Sequence, residues 1–553
     1  MSARILLALA GALLIVRLPS LVQPMGSDQG LYAYVGERIR HGELAYRDAW
    51  DQKPPGIHYV YAALRTVTSR DVAVPAADLA AAALTAALVW VVGARLGGPI
   101  AGGLAAVIFL LLSDPSFARL GGMRVRAQAE TFIALAVTTA LALAVGEGPG
   151  AKGAKGARGA KGAGAPGAGA GALRLIAAGL CLGAAFALKY NAGLYVLVVL
   201  FALGVTAGLR LRDVIWLAAG ALVIPVILLA VFWYGGALQD LYRATISYNL
   251  LYSGETYASR WDMIRYLVTF PVQQARLDAL WFVGALGCLV LVAAGLRKRT
   301  ASYWIPVAWV GLACVSIAIN GSRNLPQYFV QAAPALGLAA GLAAVVALTP
   351  LPAPARVAIA LAVSVGVWRA GSDPFPKLAR NVWHDTQFAL GRIDRRTHLA
   401  QYGGARDVDK YSALDNQDIG AFLAAKTSAD DSVYVFGYSP ASYVYAGRRS
   451  ASRFFWSRPV ILNFHGEDPR YGVAGLRADL ERNRPAYVVL QRRDWAPDVQ
   501  DSAPFFMSQP VLADWLRASY HQVPFLDGFD TWARNGPSTP AGASRQPSLG
   551  AGR

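Results

Sequence analysis

The sequence predicts a mostly α protein: a polytopic membrane helical bundle of about eleven transmembrane helices followed by a C-terminal extracytoplasmic α/β domain. Three observations predict it. Hydrophobic residues make up 55% of the chain and charged residues only 16%, against about a quarter charged in a soluble domain. The apolar residues cluster into charge-free stretches rich in Gly and Ala, small residues that let helices pack closely in lipid. After Ala370 the composition becomes soluble, and short apolar runs alternate with helical segments.

The first apolar stretch, 4–22, has the length of a signal peptide, but no small-x-small cleavage site follows it and more spans come later. It is read as a first membrane helix that stays attached. Further spans are expected near 76–94, 97–113, 127–146, 174–188, 191–208, 214–233, 278–296, 302–319, 327–348 and 354–370. Placing the N-terminus in the cytoplasm and alternating puts Arg95, Lys152, Lys155, Arg158, Lys161, Arg210, Arg212, Arg297, Lys298, Arg299 and Arg356 on inside loops. The short outside loops then hold fewer cations, namely Arg119, Arg124, Arg126, Lys189 and Arg323. That asymmetry satisfies the positive-inside rule.

The bundle domain accordingly runs over 1–370, with a first outer loop at 23–75 and another at 234–277. Residues 147–173 are low-complexity Gly/Ala/Lys sequence, which cannot bury a core and reads as a flexible cytoplasmic linker. In the soluble domain, 371–535, segments 432–437 and 486–491 read as buried strands and 417–426 and 475–483 as helices. The tail 536–553 reads as disordered.

The net charge of +18 would suggest nucleic acid in a soluble protein. Here cytoplasmic loops absorb much of it, the remainder suits anionic lipid phosphates, and no nucleic-acid motif is present. The three cysteines, Cys181, Cys288 and Cys314, lie in apolar segments with no metal spacing and read as small buried hydrophobes.

The strongest functional signal is the first outer loop. From Gly30 to Arg40, Leu31, Tyr34, Val35 and Ile39 recur at helical spacing, and Asp28 sits just before them. Asp28 has two readings: an N-cap whose carboxylate accepts backbone N–H groups, or a base at the membrane surface that takes a proton from an acceptor. Further on, Pro54 holds Lys53 extended and Pro55 suits a helix start. Lys53 is thus a cation on a stiff corner beside Asp51, suited to gripping a phosphate; the plainer reading is a snorkelling interfacial lysine. Tyr32, Tyr34, Tyr46, Trp50, Tyr59 and Tyr61 enrich the loop in interfacial aromatics.

These residues form an ordered pattern. Asp28-Gln29-Gly30-x-Tyr32-Ala33, Tyr46-Arg47-Asp48 and Asp51-x-Lys53-Pro54-Pro55-Gly56 are followed by Arg126 to Glu130, by Gly183 and Lys189-Tyr190-Asn191, and by Arg323-x-x-Pro326-Gln327-Tyr328-Phe329. Ala451-Ser452-Arg453-Phe454 completes it. The pattern resembles the protein O-mannosyltransferase-like family, which includes the transferase that adds aminoarabinose to lipid A. The resemblance covers most of the chain. It implies a GT-C membrane fold and a polyprenyl-phosphate sugar donor, with Asp28 as the catalytic acid-loop residue and Lys53 on the carrier phosphate. Two departures matter. Gln29 stands where many relatives have a second acid, which weakens an acidic metal-binding pair. Gln327 stands where many have His, leaving phosphate contact there to Tyr328 or Arg323.

Span counting independently brings Arg124, Arg126, Glu130, Lys189 and Arg323 to the side of Asp28, and ionisable residues at span ends are costly and often functional. Lys189 is a second phosphate candidate. Glu130 and Arg126 read as supporting residues, with a structural Glu–Arg pair as the plainer alternative. Asp51 is also placed on the supporting side. The outer loop 234–277 reads as amphipathic surface segments or as a cover over a sugar site.

The expected function is a glycosyltransferase of the bacterial inner membrane. It would act at the extracytoplasmic face, with a glycan, lipid or protein acceptor, membrane lipids as further partners, and no nucleic acid. Inversion is expected, since no second nucleophilic carboxylate is evident. No cofactor is indicated: the six histidines are scattered, and a divalent metal is compatible but unsignalled. A flippase for such lipids is the first alternative, although no internal repeat is found. A non-catalytic assembly protein that binds glycan through its C-terminal domain is the second.

Overall fold

A computed structural model of the chain describes residues 2–115, 122–145, 168–254, 256–321, 323–371, 374–403 and 411–536. Most of the linker expected over 147–173, the tail beyond 536 and Arg119 lie outside the described residues. The chain forms two compact units, Met1–Leu414 and Asp415–Arg553.

The first unit is helical. In order it contains α1 (Ala3–Arg17), α2 (Ser27–Arg40), α3 (Gly56–Val67), α4 (Ala73–Gly97), α5 (Pro99–Leu112), α6 (Ala129–Ala144), α7 (Ala168–Leu188), α8 (Val196–Ala207) and α9 (Leu211–Tyr234). A helical segment follows: α10 (Leu238–Tyr242), a π turn (Arg243–Ser247) and α11 (Tyr248–Gly254). Then come α12 (Arg260–Leu277), α13 (Ala279–Lys298), α14 (Trp304–Ile319), α15 (Gln327–Val330), α16 (Ala333–Leu348), α17 (Ala353–Gly371), α18 (Pro374–Ala389) and α19 (Arg395–Leu399).

Among the described residues, eight helical segments are long and apolar enough to cross a membrane, and α5, α6 and α16 are shorter apolar helices. The expected count of about eleven is therefore matched by full length in eight. The chain is an integral membrane protein. Its lipid-facing surface is legible on α9 and α17, where Leu222, Val226 and Ile227, and Val357, Leu361 and Val365, are exposed. Such side chains are unfavourable in water and at home in hydrocarbon. Between helices, small residues allow close approach. Gly179 and Gly183 of α7 meet the backbone of α9 at Leu217 and Ala221, and Gly287 of α13 meets Ala339 and Ala340 of α16.

One end of the bundle carries a buried polar network. Arg17 pairs with Asp114 at 3.2 Å, and Arg126 pairs with Asp78 at 3.2 Å. Arg126 also donates to Gln23 at 2.7 Å, and Gln23 donates to Asp385 at 2.6 Å. Tyr402 donates to the other Asp385 oxygen, and Tyr411 donates to the Met25 carbonyl at 2.6 Å. These bonds tie α18 and the segment after it to the end of the first span. The compact unit consequently runs to Leu414 rather than stopping at 370, where the composition changes.

The second unit holds α20 (Ala413–Lys426, begun in the first unit), β1 (Ser432–Phe436), α21 (Ala441–Ala446), β2 (Arg449–Ser450), α22 (Arg458–Ile461), α23 (Gly472–Asn483), β3 (Tyr487–Gln491), α24 (Ser502–Ser508), α25 (Pro510–Ser519), β4 (Tyr520–Val523) and β5 (Phe529–Arg534). The sheet order is β2-β1-β3-β5-β4. β1 runs parallel to β2 and β3, with Val435 opposite Val489, while β5 is antiparallel to β3 and β4. The expected strands are the two central ones, buried from Val433 to Phe436 and from Val488 to Gln491. β2, β4 and β5 were not expected. β2 has two residues, and β4 and β5 have mixed sequences, YHQV and FDTWAR, without an apolar run.

Candidate active site at one end of the helical bundle

The first outer loop is built around two packed helices, α2 and α3. Arg65 of α3 pairs with Glu37 of α2 at 2.8 Å. Gln29, rather than Asp28, caps α2: its side-chain oxygen accepts from the Gly26 N–H, and its amide donates to the Arg126 carbonyl at 2.6 Å. Asp28 therefore lies inside the first turn, where a carboxylate is favoured by the helix dipole. The residue that departs from the acidic pair of the resembling family does the structural work that had been one reading of Asp28.

Between these helices the chain turns sharply. Tyr46 is fully buried with φ +70, its N–H donates to Ala49 O at 2.7 Å, and its hydroxyl donates to the Lys53 carbonyl at 2.8 Å. A bulky residue with positive φ is a strained position that its surroundings must hold. Here the strain fixes the corner that carries Lys53. At Gly56 a Cβ would lie 2.6 Å from the Ala187 carbonyl, so only glycine lets this corner seat against the C-terminal end of α7. Lys53 is thereby brought beside Lys189, the residue that follows α7.

Lys53 and Lys189 line one cavity of about 260 Å³, with Gln52, Asn191, Asn249, Asn320, Tyr252 and Tyr328 among its walls. Lys189 pairs with Glu130 at 2.5 Å and stands 4.3 Å above the Tyr328 ring. Glu130 thus has a cationic partner, a lysine rather than an arginine. Arg323 stacks 3.9 Å from the Tyr252 ring centroid, so it reaches the cavity wall through that ring.

Asp28, Tyr252, Asp51 and Glu130 all bear electrostatically on Lys53. Burial works to lower the Lys53 pKa, but these groups outweigh it and the ammonium is held above its ordinary value. Asp28 acts as well on Lys189, Tyr328 and Asp51. The residues predicted for catalysis and phosphate contact are therefore drawn together. Arg126 is not at the cavity: it is committed to Asp78 and Gln23 in the buried network.

Asp51 and His58 form a pair that the sequence reasoning missed in part. Both are fully buried, with His58 Nε2 3.4 Å from Asp51 Oδ2, and His58 lies against the rings of Tyr32 and Tyr46. Burial pushes the Asp51 carboxyl up to about 7, opposed by Lys53 and reinforced by Asp28. Burial, with Lys53 adding to it, pushes His58 down to about 3, so its ring is neutral. The available signal was the place of His58 in the first turn of α3, facing back to the Asp-x-Lys corner. Asn249 and Asn320 were missed too, because a lone asparagine on a helical segment has no pattern to mark it. Among the described residues no group of three or more His, Cys, Asp or Glu is arranged to hold a metal ion.

A second recess adjoins the first and shares Tyr190, Thr245 and Ile246 with it. It measures about 470 Å³ and is lined mainly by apolar residues, including Pro55, Phe186, Leu228, Leu229 and Leu241. The π turn supplies the shared Thr245 and Ile246; such turns often occur at functional sites. A chamber lined by two lysines thus lies beside an apolar recess.

No family model matches the chain, and no curated protein matches it by sequence. Solved structures do match. The crystal structure of ArnT from Cupriavidus metallidurans bound to undecaprenyl phosphate superposes with a TM-score of 0.56 at 15% identity, covering 96% of this chain and 98% of that one. This is the GT-C fold. The apo form of the same ArnT matches it with a TM-score of 0.56 at 17% identity, over 95% of this chain and 97% of that one. The apo oligosaccharyltransferase of Archaeoglobus fulgidus matches at a TM-score of 0.45 and 13% identity, over 88% of this chain and 69% of that one. Within the GT-C fold of this chain, the loop carrying Asp28 and Lys53 lies at the bundle end that also presents Glu130, Lys189 and Tyr328.

Proposed function

We propose that the chain is a glycosyltransferase that moves a sugar from a polyprenyl-phosphate donor to an acceptor outside the cytoplasm. The observation that carries this reading is the pair of adjoining recesses: a cationic chamber lined by Lys53 and Lys189, beside an apolar recess lined by Pro55, Phe186 and Leu229. An amphiphile with an anionic head and an apolar tail matches both. The GT-C fold shared with an ArnT that was crystallised with undecaprenyl phosphate supports the same donor class.

The chemistry follows from the residues. The acceptor O–H or N–H attacks the anomeric carbon, and the bond from that carbon to the phosphate oxygen breaks. The electron pair leaves with the phosphate, whose developing charge is stabilised by Lys53, with Lys189, Tyr328 and Arg323 supporting. Asp28 takes the acceptor proton as general base. A single displacement inverts the anomeric centre. Asp51, buried behind Lys53, sets the charge around the lysine. Glu130 holds Lys189, and Arg126 fastens the segment that leads into α6, whose first turn carries Glu130. The positive-inside distribution supports an extracytoplasmic site, and the family resemblance and the Ala/Gly/Arg-rich composition support the inner membrane of a bacterium. The acceptor is a glycan, lipid or protein.

The test is transfer from a labelled polyprenyl-phosphate sugar by the purified full chain, compared with Asp28→Asn and Lys53→Ala. Loss of transfer in the first and weakened donor binding in the second are expected. Equal transfer by Asp28→Asn would remove Asp28 from the mechanism, and absence of donor binding by the wild type would sink the reading.

A further inference from the structure

Three helices that start at the end of the bundle holding the Lys53 cavity build a second recess where they finish. α4 carries Asp78 of the buried network in its second turn. α13 carries Trp281 in its first turn, packed on Phe329 with ring centroids 6.0 Å apart, and α16 begins just after Tyr328. All three run away from that end: α16 has 16 residues, or ~24 Å, and α4 has 25 residues, or ~37 Å. At their far ends Gly97, Lys298, Tyr303, Leu342, Val346 and Thr349 line a recess of about 330 Å³.

The lining divides by chemistry. Leu342 and Val346 of α16 make one wall apolar, and Lys298, Tyr303 and Thr349 supply polar groups. Gly97 adds no side chain to fill the space, and a Cβ there would collide with Leu342. α13 ends in Arg297 and Lys298, and the chain turns at Arg299, whose φ is +53, to return Tyr303 to the same recess. Arg297, Lys298 and Arg299 are exposed, and among the described residues no carboxylate pairs with them.

Charge bookkeeping decides what the recess attracts. The carbonyl ends of α4, α13 and α16 each amount to about half a negative charge. Arg356 answers part of this by donating to Leu351 O at 2.7 Å and to Thr349 O at 3.2 Å. Arg297, Lys298 and Arg299 add full positive charges, so the balance is positive. Leu289 and Leu296 of α13 are exposed, so hydrocarbon reaches the helix that carries these cations. A basic pocket between spans at a membrane surface suits an anionic lipid head group.

We infer that this recess binds an anionic phospholipid of the surrounding leaflet, with its phosphate on Lys298 and an acyl chain along Leu342 and Val346. The site is separate from the Lys53 cavity, and the inference stands or falls independently of the transferase reading. A zwitterionic phospholipid brings its own ammonium group toward the cations and gains less. A water-soluble phosphate has no chain for the apolar wall.

Native mass spectrometry of the purified full chain in detergent tests this, with phosphatidylglycerol, phosphatidylcholine or glycerol phosphate added. Phosphatidylglycerol is expected to bind about tenfold tighter than either of the others. Lys298→Gln should weaken its binding about tenfold. Val346→Trp fills the recess without changing charge and should weaken it as far. Arg210→Gln removes an exposed cation at the start of α9, outside the recess lining, and should change the affinity by less than about twofold. Lys53→Ala should retain the lipid. Melting temperatures in lipid-free detergent check each fold; Lys298 is exposed, so its variant decides the case if Val346→Trp unfolds. Equal affinity for the two lipids, glycerol phosphate bound as tightly as phosphatidylglycerol, or wild-type affinity in Lys298→Gln or in a folded Val346→Trp would overturn the inference. So would an equal loss in Arg210→Gln, which would mark a response to net charge alone. A loss in Lys53→Ala in place of Lys298→Gln would move the lipid to the other cavity and overturn it as well.

Discussion

Two buried ionic clusters occupy the same helical unit and use the same residue types. The first joins Arg17 to Asp114 and Arg126 to Asp78, with Gln23, Asp385 and Tyr402 closing it. The second brings Glu130, Asp51 and Asp28 to bear on Lys53 and Lys189, which line a cavity. In the first, the polar atoms are directed at one another, and the effect is to fasten helices. In the second, polar atoms lack a hydrogen-bond partner among the described residues, Gln52 Oε1 and Asn320 Nδ2 among them. Charge and burial alone do not distinguish a fastening from a site. Open space beside incompletely bonded groups does.

The comparison breaks most plainly at Asp28. Asp28→Asn is expected to lower the transfer rate about 10²–10⁴-fold, the range of a lost general base, while donor affinity stays within about twofold. Single-turnover transfer and equilibrium donor binding separate the two effects. A rate within threefold of wild type would move Asp28 from chemistry to structure.

The fastening cluster should respond in the opposite way. Arg126→Met leaves Asp78 buried without its cation, which costs about 3–5 kcal/mol of stability. Thermal unfolding in detergent should record the loss, and the folded fraction should keep its donor affinity. A variant of normal stability with impaired donor binding would place Arg126 at the site instead.

Lys53→Ala sharpens the contrast. Removing one charge-assisted contact to phosphate, about 1.5–3 kcal/mol, should weaken donor binding about 10- to 150-fold with little change in melting temperature. Isothermal titration with a polyprenyl-phosphate sugar measures it; an unchanged affinity would leave Lys189 as the phosphate ligand.

The smallest effect is pH dependence. The Asp51 carboxyl titrates at about 7 in the folded protein, raised by burial. Below that pH it is neutral and leaves the Lys53 charge to the phosphate; above it, the anion competes for Lys53. Donor affinity should therefore fall a few-fold as pH rises through about 7, and Asp51→Asn should flatten the profile. The glycosylated donor is a phosphodiester and does not titrate there, so the inflection belongs to the protein. The raised pKa also means that this group favours the fold below its unfolded value of 3.8 and costs stability as pH passes 7.

Much of this was legible before the structure. The spans follow from length and apolarity, since a bilayer imposes both. Lys53 stands out because Pro54 and Pro55 dictate a stiff corner whatever the rest of the chain does, and Asp28 because it sits just before the helical spacing that begins at Gly30. Lys189 was marked by its place at a helix end, and Tyr328 by the family resemblance, where Gln327 departs from the pattern. Other features were out of reach for physical reasons. That Gln29 caps α2 depends on the Met123 and Arg126 carbonyls, about a hundred residues away in sequence. Arg126 looked like Lys189 on paper, and only the position of Asp78 separates their roles. His58 lies within the apolar pattern of α3, and Asn249 and Asn320 become wall residues only when the π turn and the end of α14 face the same space. The unit boundary at Leu414 is set by bonds from Asp385 and Tyr411 back to Gln23 and Met25, contacts that a change in composition at 370 does not reveal.

The central claim is that an anionic lipid head sits between Lys53 and Lys189 with its tail in the adjoining groove. Cryo-electron microscopy of the full chain with a short-chain polyprenyl phosphate tests it most directly. Phosphate density is expected within hydrogen-bond reach of Lys53 Nζ, about 2.7–2.9 Å, with isoprenoid density passing Pro55, Phe186 and Leu229. Phosphate density elsewhere, for instance in the recess beside Lys298 and Tyr303, with the Lys53 cavity empty, would contradict it.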